Sequence, residues 1–213
     1  MEDIGCILFD FDGTLADTSE GIIQTEKAML QEMGLPVGDE ARMRSGIGLP
    51  LRGSLKMGND IPEERLDEAV ETYRRLFDVV AIGHIVAFDG VVETLEGLQA
   101  RGVRMGVATS RSGRTLRYLC ERLGILRYFE ELASVECAAR PKPAPDTVFY
   151  LLEKMQVTED ETLVVVDTVF DLQMGREAGC RTCGVTYGNH SRAQLEAAAP
   201  DWIIDDIRGL LSL

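Results

Sequence analysis

The stretch "CILFDFDGTLADT", residues 6–18, ends an apolar run on two carboxylates, Asp10 and Asp12, and follows them at once with Gly13. Continuous rather than alternating apolarity suits a strand buried on both faces, as in a parallel sheet. Comparable runs recur along the chain: "IGCILF" at 4–9, "VRMGVA" at 103–108, "ELASV" at 131–135, "TLVVV" at 162–166, "RTCGVT" at 181–186 and "WIID" at 202–205.

Amphipathic segments of helical length separate the later runs, at 91–101, 112–123, 145–155, 169–178 and 191–198. Gly102, Gly124 and Gly179 follow three of them and read as helix C-terminal caps. The alternation predicts an open, doubly wound (Rossmann-like) parallel α/β sheet.

After the first run the rhythm breaks, because about seventy residues pass without a convincing strand, too many for a connecting loop. This interval reads as a helical bundle inserted at residues 17–83, leaving a sheet domain of residues 1–16 and 84–213. Asp17 and Glu20 read as a capping box opening a helix that runs to Met33, with Gly34 and Pro36 ending it. Further helices are predicted at 39–45, 50–57 and 62–80.

Composition sets the outer bounds. The 213 residues, 45% of them hydrophobic, suffice for one domain with an insertion. Thirty-six acidic against 22 basic residues give a net charge of -14, which disfavours wide contact with nucleic acid or anionic membranes. No apolar run approaches the roughly 18 residues of a membrane span, and the N-terminus lacks a signal-peptide pattern, so a cytoplasmic protein is expected. The five scattered cysteines read as free thiols, and the lone "CRTC" at 180–183 lacks the second pair of a zinc site. A monomer or homodimer is expected.

In an open parallel sheet, ligands bind beyond the carboxyl ends of the strands. Asp10 and Asp12 end the first run, Thr109 and Ser110 the second, and Asp167 and Asp171 follow the fourth. Lys142 sits in "RPKPAPD" after the third. Carboxylates crowded in this way repel one another unless a cation intervenes, and oxygen-only ligands favour a hard ion of the Mg2+ type. Lys142, the Thr109 hydroxyl and neighbouring N–H groups could hold phosphate oxygens. A carboxylate can attack phosphorus to form an aspartyl phosphate. Asp12, two residues on in an extended chain, could serve the same phosphate as general acid and then base, while Gly13 lets the backbone turn past it.

"DFDGTLADT", "VATSR" at 107–111, "KPAPD" at 142–146 and "VVVDTVFD" at 164–171 resemble, in order and spacing, the four motifs of the haloacid dehalogenase-like hydrolase superfamily. The resemblance covers essentially the whole chain and is closest to the phosphoglycolate phosphatase and β-phosphoglucomutase branch, in which a helical cap domain is inserted after the first motif. It implies Asp10 as nucleophile and Mg2+ ligand, and Asp12 as acid/base and as ligand through its carbonyl. It further implies Thr109 and Lys142 as phosphate holders, Asp167 as a metal ligand, and Asp171 as a water-mediated ligand or a support for Lys142. Phosphoester chemistry is favoured because members that cleave carbon–halogen bonds or phosphonates lack an acid at the position of Asp12.

The implied activity is a Mg2+-dependent phosphatase for a small phosphorylated metabolite, phosphoglycolate-like or sugar-phosphate-like. A phosphoglucomutase-type phosphotransferase and a non-catalytic phosphometabolite-binding protein are the alternatives. Val166 and Pro141 stand where the family commonly has glycine, which puts the loops beside Asp167 and Lys142 in question. Within the cap segment, Arg44 and Arg52 are the candidates for contacting an anionic substrate; His84 and His190 read as structural or exposed.

Overall fold

The protein is described by a computed structural model covering residues 4–213; residues 1–3, assigned above to the sheet domain, lie outside the described residues. The strands are β1 (Cys6–Phe9), β2 (Ala16–Asp17), β3 (Val86–Ala87), β4 (Arg104–Ala108), β5 (Glu131–Ala133), β6 (Thr162–Val166), β7 (Arg181–Val185) and β8 (Trp202–Ile204). The helices are α1 (Ser19–Glu32), α2 (Glu40–Ser45), α3 (Leu51–Gly58), α4 (Leu66–Val80), α5 (Val91–Ala100), α6 (Gly113–Arg122), α7 (Asp146–Met155), α8 (Val169–Glu177) and α9 (Arg192–Ala197).

Six strands form one parallel sheet in the order β5-β4-β1-β6-β7-β8. The chain winds outward from β1 through β4 to β5, then crosses back to β6 and on to β8. The order therefore reverses at β1. Phe9 pairs with Val107 on one side and Val165 on the other, so the carboxyl ends of β1, β4 and β6 finish level.

Both faces of the sheet are buried, and β1 shows how. Ile7 and Phe9 pack with Val91, Leu95 and Leu116 of α5 and α6. Cys6 and Leu8 turn the other way, against Val148 and Leu151 of α7 and Leu172 of α8. This two-sided burial is why the strands read as unbroken apolar runs. Positive φ at Gly102, Gly124 and Gly179 follows α5, α6 and α8, as a left-handed helix terminus requires.

The helices α1 to α4 all fall between β2 and β3. These two-residue strands pair antiparallel, Ala16 with Ala87 and Asp17 with Val86, bringing the entry and exit of the insertion side by side. The sequence expectation missed them, because two residues carry no periodicity. The expected capping box at Asp17 and Glu20 is also corrected. Asp17 lies in β2, the N-cap of α1 is Thr18 without a side-chain cap, and Glu20 accepts instead from Gln24 Nε2 at 2.8 Å. Asp39 does cap α2, accepting from Arg42 N at 3.0 Å. Inside the insertion, Ile23, Met29 and Leu30 of α1 are buried with Leu66, Ala69 and Phe77 of α4.

Candidate active site

Asp10 begins where β1 stops, its backbone N still donating to Val165 O at 3.0 Å. The side chain is 2% exposed, and Lys142 Nζ donates to its Oδ1 at 2.6 Å. Lys142 also donates to Ala108 O at 3.0 Å and forms an ion pair with Asp171 Oδ1 at 2.5 Å. One ammonium thus joins the ends of β1 and β4 to the first turn of α8. Asp10 Oδ2 is buried without a hydrogen-bond partner.

Asp167 follows β6 and is held from three directions. Thr14 Oγ1 donates to its Oδ1 at 3.2 Å, and Asn189 donates to its Oδ2 from the backbone N at 2.8 Å and from Nδ2 at 2.9 Å. A Cβ at Gly13, where φ is +85°, would overlap Asp167 Oδ2, so this turn needs glycine for conformation and for space. Thr168, the N-cap of α8, donates its hydroxyl to Asp171 Oδ2. Val166 stays in register opposite Gly184, and a turn from Pro141 O to Ala144 N brackets Lys142. Neither non-glycine residue removes its neighbour from the cluster.

Asp10, Asp167 and Asp171 each present a carboxylate oxygen within 4.8 Å of the others, all buried. Burial pushes Asp10 well above the usual carboxylate range against the pull of Lys142, and Asp171, Asp167 and Asp12 add to the rise. Asp167 is pushed up to about 7, chiefly by burial, against the N–H donated by Asn189. Lys142 is held above its ordinary value because Asp10 and Asp171 together outweigh its own burial. With Asp12, four carboxylates face two cations, Lys142 and Arg111. A divalent cation on oxygen ligands fits this excess of negative charge and the bare Asp10 Oδ2.

Asp12 is fastened differently. Arg111 contacts both its oxygens, Nε to Oδ2 at 3.1 Å and a terminal nitrogen to Oδ1, and Thr18 Oγ1 donates to Oδ1 at 2.7 Å. Burial alone would raise this carboxyl, but the Arg111 guanidinium and the Thr18 hydroxyl hold it below the ordinary value. The guanidinium stacks on Phe77 of α4 at 4.8 Å and on Phe11 at 5.8 Å, so Asp12 is linked through Arg111 to the insertion.

A cavity of about 360 Å3 opens above these groups, with Asp10, Asp12 and Thr109 lining it from the sheet edge and Ile22, Tyr73 and Phe77 from the insertion. Thr109 is 2% exposed, and its hydroxyl accepts from Arg111 N at 3.2 Å. Ser110 also lines the cavity and donates across it to Gly48 O at 2.8 Å. Arg52 reaches the lining, paired with Glu63 at 3.0 Å and with Asp67. Arg44 lies half-buried on α2 beside the buried Met43 and is not among the residues lining this cavity. His190 is structural, its Nδ1 accepting from Val169 N at 3.1 Å at the start of α8.

Sequence reasoning did not single out Arg111, although it stands in the quoted "VATSR", nor Thr18 and Asn189. It also passed over Glu26 of α1, which is fully buried and lines the cavity. A charged residue on the apolar face of a helix was the available signal. Burial pushes Glu26 up to about 7, opposed by Asn59, whose Nδ2 donates to Glu26 Oε2 at 2.8 Å.

Residues 7–185 match the family model described as haloacid dehalogenase-like hydrolase. The chain belongs to the haloacid dehalogenase-like hydrolase family. Within it the chain is a phosphatase. It is 34% identical over 203 residues to "Probable phosphatase IndB" of Dickeya dadantii, covering 93% of this chain and 88% of that protein. It is 31% identical over 236 residues to phosphoglycolate phosphatase of Escherichia coli strain K12, covering 99% and 92%. A solved haloacid dehalogenase-like hydrolase from Streptococcus pneumoniae superposes with a TM-score of 0.90 at 27% identity, covering 100% of this chain and 99% of that one.

Proposed function

We propose that the chain is a Mg2+-dependent phosphatase of small phosphorylated metabolites, with Asp10 as nucleophile. The observation that carries this reading is the state of Asp10 at the cavity floor: Lys142 fixes Oδ1, and Oδ2 has no hydrogen-bond partner. A carboxylate oxygen so placed attacks phosphorus, the bond from phosphorus to the ester oxygen breaks, and Asp10 carries the phosphoryl group. Asp12, ionised beside Arg111 in this state, first takes up a proton from solvent as that contact opens; it gives this proton to the departing oxygen, then takes one from the water that attacks the same phosphorus and frees Asp10. Arg111 and Thr18 occupy both Asp12 oxygens here, so one of these bonds opens when the proton moves.

Asp10, Asp167 and the carbonyl of Asp12 would hold Mg2+, with Asp171 supporting Lys142. When bound, the ion neutralises charge on the transferring phosphoryl group. Thr109, Ser110 and Lys142 hold the remaining phosphate oxygens. Residues 17–83 act as a cap over a core of residues 1–16 and 84–213, and β2 with β3 form its base. Closing the cap excludes water during transfer, and opening it releases product. A cytoplasmic, reducing compartment suits the five free cysteines.

The test is a phosphate-release screen over a panel of phosphomonoesters in Mg2+, with wild type and Asp10→Asn side by side. Release by the wild type and none by the variant is expected; equal release by both would refute the reading.

A further inference from the structure

Away from the phosphate end, the cavity wall contains a polar pair that the reaction above does not use. Glu26, on α1, and Asn59, just after α3, are buried at 0% and 4% exposure, and only Glu26 lines the cavity. The Asn59 amide spends its N–H groups on Glu26 Oε2 at 2.8 Å and Leu55 O at 3.3 Å. That arrangement fixes which way the amide faces, because both partners are acceptors. Glu26 Oε1 and Asn59 Oδ1 are left buried with no hydrogen-bond partner. Above about pH 8, where Glu26 is ionised despite its burial, the pair is an acceptor-only feature, in a wall otherwise built from groups such as Ile22, Val70 and Tyr73.

A buried acceptor without a donor is destabilising, so its presence on a cavity wall marks a place where a ligand supplies the donor. The cavity's arginines do not reverse the preference. Arg52, Arg111 and Arg114 are paired with Glu63, Asp12 and Asp78, and Arg74 is exposed, where a charge contact is weak.

We propose that Glu26, oriented by Asn59, is a specificity-determining residue that selects phosphomonoesters whose leaving group ends in a hydroxyl or amino donor and rejects those ending in a carboxylate. This rests on the phosphatase reading for the phosphate end of the cavity. It concerns a different part of the substrate.

Glu26→Gln makes a sharp probe. Asn59 Nδ2 demands an oxygen at the Oε2 position, so the new amide nitrogen takes the place of Oε1 and turns the acceptor into a donor. The substrates are alkyl phosphates of graded chain length ending in amino, hydroxyl, carboxylate or methyl groups. Comparing wild type with variant for each ester cancels its intrinsic reactivity. At the chain length that reaches Glu26, the variant is expected to lose about 10-fold or more in kcat/KM for the amino ester, a loss the methyl ester escapes. It should gain on the carboxylate ester. Amino against hydroxyl separates the two donor classes. Calorimetric Kd values for the matching, non-hydrolysable alkyl phosphonates follow the same order, and they read the selection without turnover.

An unchanged amino-to-carboxylate ratio at every chain length, in both rate and Kd, would overturn the proposal. Absence of turnover by the wild type, with the Kd order intact, would instead count against the phosphatase reading alone.

Discussion

Lys142 Nζ lies 2.6 Å from Asp10 Oδ1, although 132 residues separate them in sequence, and both side chains are essentially inaccessible to solvent. The topology makes this possible: β4 and β6 flank β1, and the loops beyond the carboxyl ends of the strands converge on Asp10. The same ammonium meets Asp171, so it balances two buried carboxylates at once.

Replacing Lys142 with Met should therefore cost both stability and activity. Removing one partner of a buried pair strands the other charges, worth roughly 3–5 kcal/mol. Urea unfolding should show a loss of that order, and phosphate release should fall at least 100-fold. Lys142→Arg should not recover the activity, because a planar guanidinium cannot replace a point charge sitting between two carboxylates. Near-normal turnover by Lys142→Met would remove Lys142 from the site.

Arg111 and Asp12 form a second pair, with side chains 9% and 13% exposed. Arg111→Ala leaves Asp12 charged and half-satisfied, and should destabilise by roughly 2–4 kcal/mol, somewhat less than for a fully dry pair. Adding Asp12→Asn should return part of that loss, since the stranded charge is gone. A double-mutant cycle in urea measures the coupling, and strict additivity would contradict it.

Removal of divalent metal should abolish phosphate release, and Mg2+ should restore it. A second readout is independent of turnover: Mg2+ relieves repulsion among Asp10, Asp167 and Asp171, so it should raise the melting temperature of the wild type. Asp167→Asn should shrink that rise. A Mg2+-independent melt together with Mg2+-independent turnover would rule out a metal on these residues.

Glu26 gives a pH dependence with a definite sign. Its folded value is about 7 against an ordinary 4.5, so the folded state binds the proton more tightly than the unfolded chain. Its contribution to stability is then present below pH 4.5 and lost as pH rises through 7, a change on the order of 3 kcal/mol. Glu26→Gln has no such loss. The stability of the variant minus that of the wild type should grow across this window and stay level above it. A constant difference from pH 4.5 to 8 would show that Glu26 titrates normally.

Much of the fold was legible because burial on both faces writes itself as unbroken apolar runs. β6 falls on residues 162–166 as read, and β1, β4 and β7 differ from their runs only at the ends. Asp10, Thr109 and Asp167 were legible because each follows such a run. What stayed hidden was set by contacts distant in sequence. β2 and β3 pair across the whole insertion in two-residue strands. Asp17, read as a cap, was claimed by that pairing. Arg111 finds Asp12 across 99 residues, and Asn59 finds Glu26 across 33, and no local pattern announces either. Basic composition likewise does not say which way the short helix α2 turns its side chains, and Arg44 lies outside the cavity lining while Arg52 of α3 reaches it.

The most direct measurement is to find where the phosphoryl group goes. The protein is mixed with a turned-over phosphomonoester and Mg2+, quenched in acid during steady state, treated with borohydride to reduce any acyl phosphate, and read by peptide mass spectrometry. Reduction of Asp10 to homoserine in the wild type, and no reduced residue in Asp10→Asn, is the expected result. Steady turnover with Asp10 unmodified, or with the label on another residue, would contradict the assignment of Asp10 as nucleophile.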